Sequence, residues 1–167
     1  MRLFIAILLD KNVRDGLRGM QNELRRRGVE GNYTRAENLH LTLAFIGEYP
    51  NPDAVLDAMA LARFEPFALR LGGAGSFGDT WWAGLEANEE LDALVRRLRR
   101  ALADKGIPFD RKPFRAHVTL IRKPSFRRDP QMETLPVTET EMTVGRISLM
   151  LSTRGKNGMF YTELGSV

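Results

Sequence analysis

Leu39-His40-Leu41-Thr42-Leu43-Ala44-Phe45 and Ala116-His117-Val118-Thr119-Leu120-Ile121 hold the only two histidines of a 167-residue chain. Each histidine opens the same phrase, His-apolar-Thr-Leu, inside an apolar run. Alternation of this kind marks a half-buried β-strand, on which residues two apart share a face. His40 and Thr42 therefore project together from one strand, and His117 and Thr119 from another. Serine and threonine make up roughly one residue in eleven. Both histidines meeting the rule by accident is an event of about one in a hundred. Imidazole titrates nearest physiological pH, so two of them, each beside a hydroxyl, are suited to moving one proton on and another off.

Outward from these motifs, the chain reads as strands and helices in both halves. Arg2–Leu9 is an apolar run ended by Asp10 and Lys11. It is expected to be a buried strand rather than a signal peptide. Asp10 is placed to cap a helix running to about Arg27, closed by Gly28, with Leu17, Met20 and Leu24 on its apolar stripe. A polar turn is expected over Glu30–Asn38 before the first histidine strand. Asn51-Pro52 is a helix-entry signal for a short helix over Ala54–Ala62. Phe67–Leu71 resumes strand character, Gly72–Gly75 is expected to break it, and Thr80–Leu85 reads as the next strand. Glu89–Lys105 is the strongest helix, ended by Gly106, with Arg96, Arg97, Arg99 and Arg100 read as a solvated face. A linker through Pro108 and Pro113 delivers the second histidine strand. Residues 123–136 read as a long polar loop carrying Arg127-Arg128. Met142–Leu151 and Met159–Leu164 read as two closing strands.

The apolar fraction of 43% and dispersed charge of 28% fit a folded chain. The length suits a single domain over 1–167, built as two intimately packed lobes. With no cysteine, disulfides and thiolate metal sites are excluded. No stretch approaches the length of a membrane span. The expectation is a soluble, cytoplasmic monomer. A net charge of +4 and a pI of about 9.8 suit an anionic partner such as RNA.

Competing chemistries fit less well. Zinc sites use three or four ligands, and neither histidine motif contains Asp or Glu, so no metal is expected. A Gly-x-Ser-x-Gly elbow is absent. Gly72-Gly73-Ala74-Gly75 lacks the Gly-Lys-Ser/Thr of a phosphate-binding loop. No cofactor is expected.

The paired motifs resemble those of the 2H phosphoesterases, named for two His-x-Thr/Ser motifs, and most closely the bacterial RNA 2′,3′-cyclic phosphodiesterases (2′-5′ RNA ligase-like). The likeness extends over Arg2-Leu3-Phe4-Ile5-Ala6, Asn38–Leu43 with Phe45 and Gly47, and Phe114–Leu120 with Arg122. Leu151-Ser152 and Tyr161 fit the family's final hairpin. Ala116 departs from the proline that often precedes the second histidine. The resemblance implies a bilobal α+β fold: two antiparallel sheets face across a central cleft, with helices outside and one histidine strand from each lobe. It also implies hydrolysis of an RNA 2′,3′-cyclic phosphate end, or a cyclic nucleotide, to a 2′-phosphate. In that scheme His40 is the proton donor and His117 the proton acceptor, and Thr42 and Thr119 stabilise phosphoryl charge. The near-symmetric motifs leave the acid and base assignment open by themselves. Arg122 is a candidate phosphate contact, although strict alternation puts it on the face opposite His117. Phe4 and Phe45 are candidate base-stacking residues, with core packing the commoner role. The same chemistry run in reverse would make a 2′-5′ RNA ligase, and a catalytically silent RNA-binding module is the non-enzymatic alternative.

Overall fold

A computed structural model describes residues 1–137 and 140–167. Nine strands and three α-helices follow the order β1 (Arg2–Leu8), α1 (Lys11–Arg26), β2 (Glu30–Tyr33), β3 (His40–Glu48), α2 (Pro52–Leu61), β4 (Phe67–Phe77), β5 (Thr80–Leu85), α3 (Glu89–Asp104), β6 (His117–Ser125), β7 (Glu141–Val144), β8 (Ser148–Gly155) and β9 (Gly158–Ser166) among the described residues. The strands form two antiparallel sheets, ordered β3-β1-β8-β9 and β2-β6-β5-β4-β7. One histidine strand lies in each. Helix α1 packs on the second sheet, while α2 and α3 pack on the first. This is the α+β architecture that the resemblance implied.

The helix termini follow their signals. Asp10 accepts from the Val13 amide at 2.9 Å, Asn51 from Ala54 at 3.1 Å and Asn88 from Leu91 at 3.0 Å, so each helix has a side-chain N-cap. Pro52 occupies the first turn of α2. The stripe of α1 is buried as read.

Strand β1 explains its unbroken apolar run. Leu3, Ile5 and Ile7 face the main core, while Phe4 and Ala6 join Met150 in a smaller cluster against Leu8, Phe45 and Tyr161. Both faces are covered, so the strand has no polar face.

Four readings change. Glu30–Asn38 is not only a turn: Glu30–Tyr33 pairs with β6 as an edge strand. The glycine run does not end β4. Leu71 pairs with Leu85 and Ala74 with Ala83, so Gly72 and Gly73 form a bulge, with Gly73 at φ +77°. Met142–Leu151 is two strands in different sheets, β7 beside β4 and β8 beside β1, parted at Gly145. Residues 123–125 prolong β6, and Met132–Thr134 form a short 3-10 turn in the expected loop.

Both histidine strands carry a β-bulge immediately after their threonine. Against β1, Thr42 pairs with Ala6 and Ala44 with Ile5, leaving Leu43 as the extra residue. Against β5, Thr119 pairs with Trp82 and Ile121 with Trp81, leaving Leu120 extra. A bulge shifts side-chain parity by one. Leu43 with Ala44, and Leu120 with Ile121, are all buried in the core. Phe45 and Arg122 consequently return to the face of their histidines.

Each bulge carbonyl is held by a helix. The buried Gln21 of α1 donates to the Leu120 carbonyl at 3.0 Å and to that of Thr34 at 2.8 Å. Arg99 of α3 reaches the Leu43 carbonyl at 3.4 Å. Replacing Gln21 by leucine keeps the volume but takes this donor from the buried Leu120 carbonyl and the half-buried Thr34 carbonyl. Urea unfolding should show a loss of about 1–3 kcal/mol, the cost of an unsatisfied buried polar group; an unchanged midpoint would contradict the role.

Candidate active site

A cleft of about 960 Å³ opens between the sheets. His40 and Thr42 from β3, His117, Thr119 and Arg122 from β6, and Phe4 from β1 all line it. The residues singled out by the two motifs, 77 positions apart in sequence (117 − 40), thus share one cavity.

The two imidazoles are held in the same way. His40 Nδ1 lies 2.7 Å from the carbonyl of Asn38, and His117 Nδ1 lies 2.6 Å from that of Arg115. A carbonyl only accepts, so each Nδ1 carries the hydrogen and each Nε2 is the nitrogen free for chemistry. His40 Nε2 is 2.9 Å from Thr42 Oγ1, whose hydroxyl donates to it while the ring is neutral. Among the described residues, no protein group hydrogen-bonds His117 Nε2.

Aromatic rings fix both imidazoles from the side. Phe4 and Tyr161 stand 4.9 and 5.2 Å from His40, centroid to centroid. Phe77 and Trp82 stand 5.1 and 6.1 Å from His117. Phe4 is buried, so it forms the cleft floor under His40 rather than an open stacking face. Phe45 is half-buried, with the Arg2 guanidinium 4.9 Å over its ring.

Arg122 does reach the cleft, because the Leu120 bulge supplies the bend that strict alternation forbids. Sequence reasoning did not place Phe77, Trp82 or Asn38 in the site, and noted Ser152 and Tyr161 only as parts of the last hairpin. Tyr161 and Ser152 are paired in register across β8 and β9 and both line the cleft. Arg127 and Arg128 do not line it.

Burial lowers the His40 pKa below its ordinary value, and the positive charges of Arg122 and His117 push the same way against the Asn38 carbonyl, which raises it. Among the described residues no three His, Cys, Asp or Glu side chains are grouped to hold a metal ion. No helix of the described residues is long and apolar enough to cross a membrane.

Two facing strands, each presenting one imidazole and one threonine to a shared cleft between two antiparallel sheets, define a 2H phosphoesterase. Residues 14–156 match the 2′-5′ RNA ligase superfamily, and the chain belongs to that family as an enzyme with both histidine motifs intact. A Thermus thermophilus protein named RNA 2′,3′-cyclic phosphodiesterase is 36% identical over 98% of this chain and 88% of its own length. A Geobacillus stearothermophilus protein of the same name is 29% identical over 95% of this chain, which spans 54% of that longer relative. The crystal structure of E. coli LigT complexed with 3′-AMP matches at a TM-score of 0.75 and 27% identity, covering 99% of this chain and 95% of LigT.

Removing the Arg122 charge with Arg122→Met favours protonated His40. Its pKa, followed by NMR titration of the ring, should start below the ordinary imidazole value and rise in the variant. No rise would show that Arg122 does not act on His40.

Proposed function

We propose that this protein hydrolyses the 2′,3′-cyclic phosphate at the end of an RNA, or of a cyclic nucleotide, to a 2′-phosphate, using its two histidines and no metal or cofactor. The observation that carries this reading is the matched presentation of two Nε2 atoms to one cleft, each Nδ1 pinned by a carbonyl two residues earlier. In-line displacement at phosphorus needs a base for the entering oxygen and an acid for the departing one, on opposite sides. Imidazoles from opposing lobes meet that need. The names of the relatives and the 3′-AMP in LigT support the choice of substrate class.

In this scheme His117 Nε2 takes a proton from water as the water oxygen bonds to phosphorus. The P–O3′ bond breaks, and the 3′ oxygen takes the proton carried by His40 Nε2. Thr42, Thr119 and Arg122 donate to the non-bridging oxygens, where charge is held in the transition state. Thr42 is already beside His40, so substrate binding exchanges a hydroxyl-to-imidazole contact for a hydroxyl-to-phosphoryl one. The anionic phosphate also opposes the charges that lower the His40 pKa, favouring the protonated form an acid requires. One imidazole must be neutral and the other charged, so turnover should follow a bell-shaped pH profile.

The chain is proposed to work as one unit over residues 1–167, because the site takes a strand from each lobe. It is proposed to be a cytoplasmic monomer.

An oligoribonucleotide ending in a 2′,3′-cyclic phosphate, incubated in EDTA, should yield a 2′-phosphate. His40→Ala and His117→Ala should each lower kcat by about 10²–10⁴-fold. A 3′-phosphate product would reverse the substrate between the two histidines. Loss of turnover in EDTA, or its survival in either variant, would contradict the two-histidine scheme.

A further inference from the structure

Arg99 departs from the reading of its helix as a solvated basic face. Arg96, Arg97 and Arg100 are exposed, but Arg99 is half-buried. Its Nη1 donates to the Lys112 carbonyl at 2.7 Å, and its Nη2 points to the Leu43 carbonyl at 3.4 Å. Its Nε is buried with no hydrogen-bond partner among the described residues. The rings of Phe109 and Phe114 lie 5.8 and 6.0 Å from its Cζ. An unpartnered buried N–H costs free energy.

This guanidinium lines a second groove of about 460 Å³, together with Phe45, Phe77, Lys112, Phe114 and Arg115. The groove is continuous with the catalytic cleft: Thr42, Phe45 and His117 line both. Three cations face one carboxylate there, Asp110, whose Oδ1 already accepts from the Lys112 amide at 3.0 Å. Phe77 is 38% exposed beside Trp82 and His117, and the Arg115 guanidinium stands 5.9 Å from its centroid. Excess positive charge interleaved with accessible aromatic rings is how single-stranded nucleic acid is held without base specificity. A phosphate in the groove meets the positive charges of Arg99, Lys112 and Arg115.

We propose that this groove is a second nucleotide subsite, which takes the base and phosphate of the nucleotide preceding the cyclic end of a single-stranded RNA. The proposal rests on the phosphodiesterase reading above. It predicts that oligoribonucleotide ends are better substrates than cyclic mononucleotides, because only an oligonucleotide fills both the cleft and the groove.

Lys112→Glu is a clean probe, since the residue is exposed and its backbone contacts to Asp110 and Arg99 survive any side-chain change. Phe114→Leu removes an aromatic face while keeping apolar bulk. For wild type and both variants, kcat/KM is measured on a cyclic-phosphate-ended hexaribonucleotide and on a 2′,3′-cyclic mononucleotide. Wild type should favour the hexamer by roughly tenfold or more, as expected where stacking and charge contacts add to binding. Lys112→Glu should remove about tenfold from the hexamer alone, leaving the mononucleotide within twofold of wild type, and Phe114→Leu should act in the same direction. Equal turnover of both substrates by wild type, or equal loss on both in the variants, would overturn the subsite while leaving the phosphodiesterase reading intact. Wild type that hydrolyses neither substrate would instead remove the reading on which the subsite depends.

Discussion

A β-strand alternates its side chains with period two, so His40, Thr42 and Phe45 cannot share a face unless one residue is inserted between them. The same holds for His117, Thr119 and Arg122. The insertions at Leu43 and Leu120 meet this constraint, and the rest of the site depends on them. Each lets a strand bury two consecutive apolar residues while returning the next side chain to the cleft. Without the second bulge, Arg122 would point away from His117 and the cleft would lose that guanidinium. Gln21 joins the Thr34 amide on the Leu120 carbonyl and Arg99 points to the Leu43 carbonyl, so a helix on an outer face contacts each bulge.

The two halves of the site are alike in more than their motifs. Each imidazole donates Nδ1–H to the carbonyl two residues before it and is flanked by two aromatic rings. Their surroundings differ. His40 lies deeper, against Phe4 and Tyr161 and beside the Thr42 hydroxyl, and burial dominates its pKa. His117 offers an Nε2 with no protein partner among the described residues. A symmetric pattern in sequence thus becomes two unequal environments in space.

Much of this was legible in the sequence because it was local. Helix caps are set by residues three apart, and Asp10 and Asn51 declare them. The His-x-Thr faces follow from alternation alone. What escaped was non-local or turned on parity. Leu43-Ala44 and Leu120-Ile121, consecutive apolar residues on otherwise alternating strands, were the available signal for the bulges, and they explain how Arg122 reaches the cleft. The glycines of β4 suggested a break, yet they let the chain form a bulge while pairing resumes on both sides. Gly145 marked the division of the segment 142–151, although nothing local shows that β7 and β8 belong to different sheets. Phe77, Trp82 and Arg99 reach the site through sheet pairing or helix packing, and no spacing in the chain announces such contacts.

The central claim is that His40 and His117 act as one acid–base unit across the cleft. The most direct test is a double-mutant comparison of kcat on a cyclic-phosphate-ended oligoribonucleotide, using His40→Ala, His117→Ala and the variant carrying both. Groups that act together in one transition state give grossly non-additive losses. The double variant should therefore fall within a few-fold of the slower single one. Losses that multiply would mean that the two histidines contribute independently and would contradict the account.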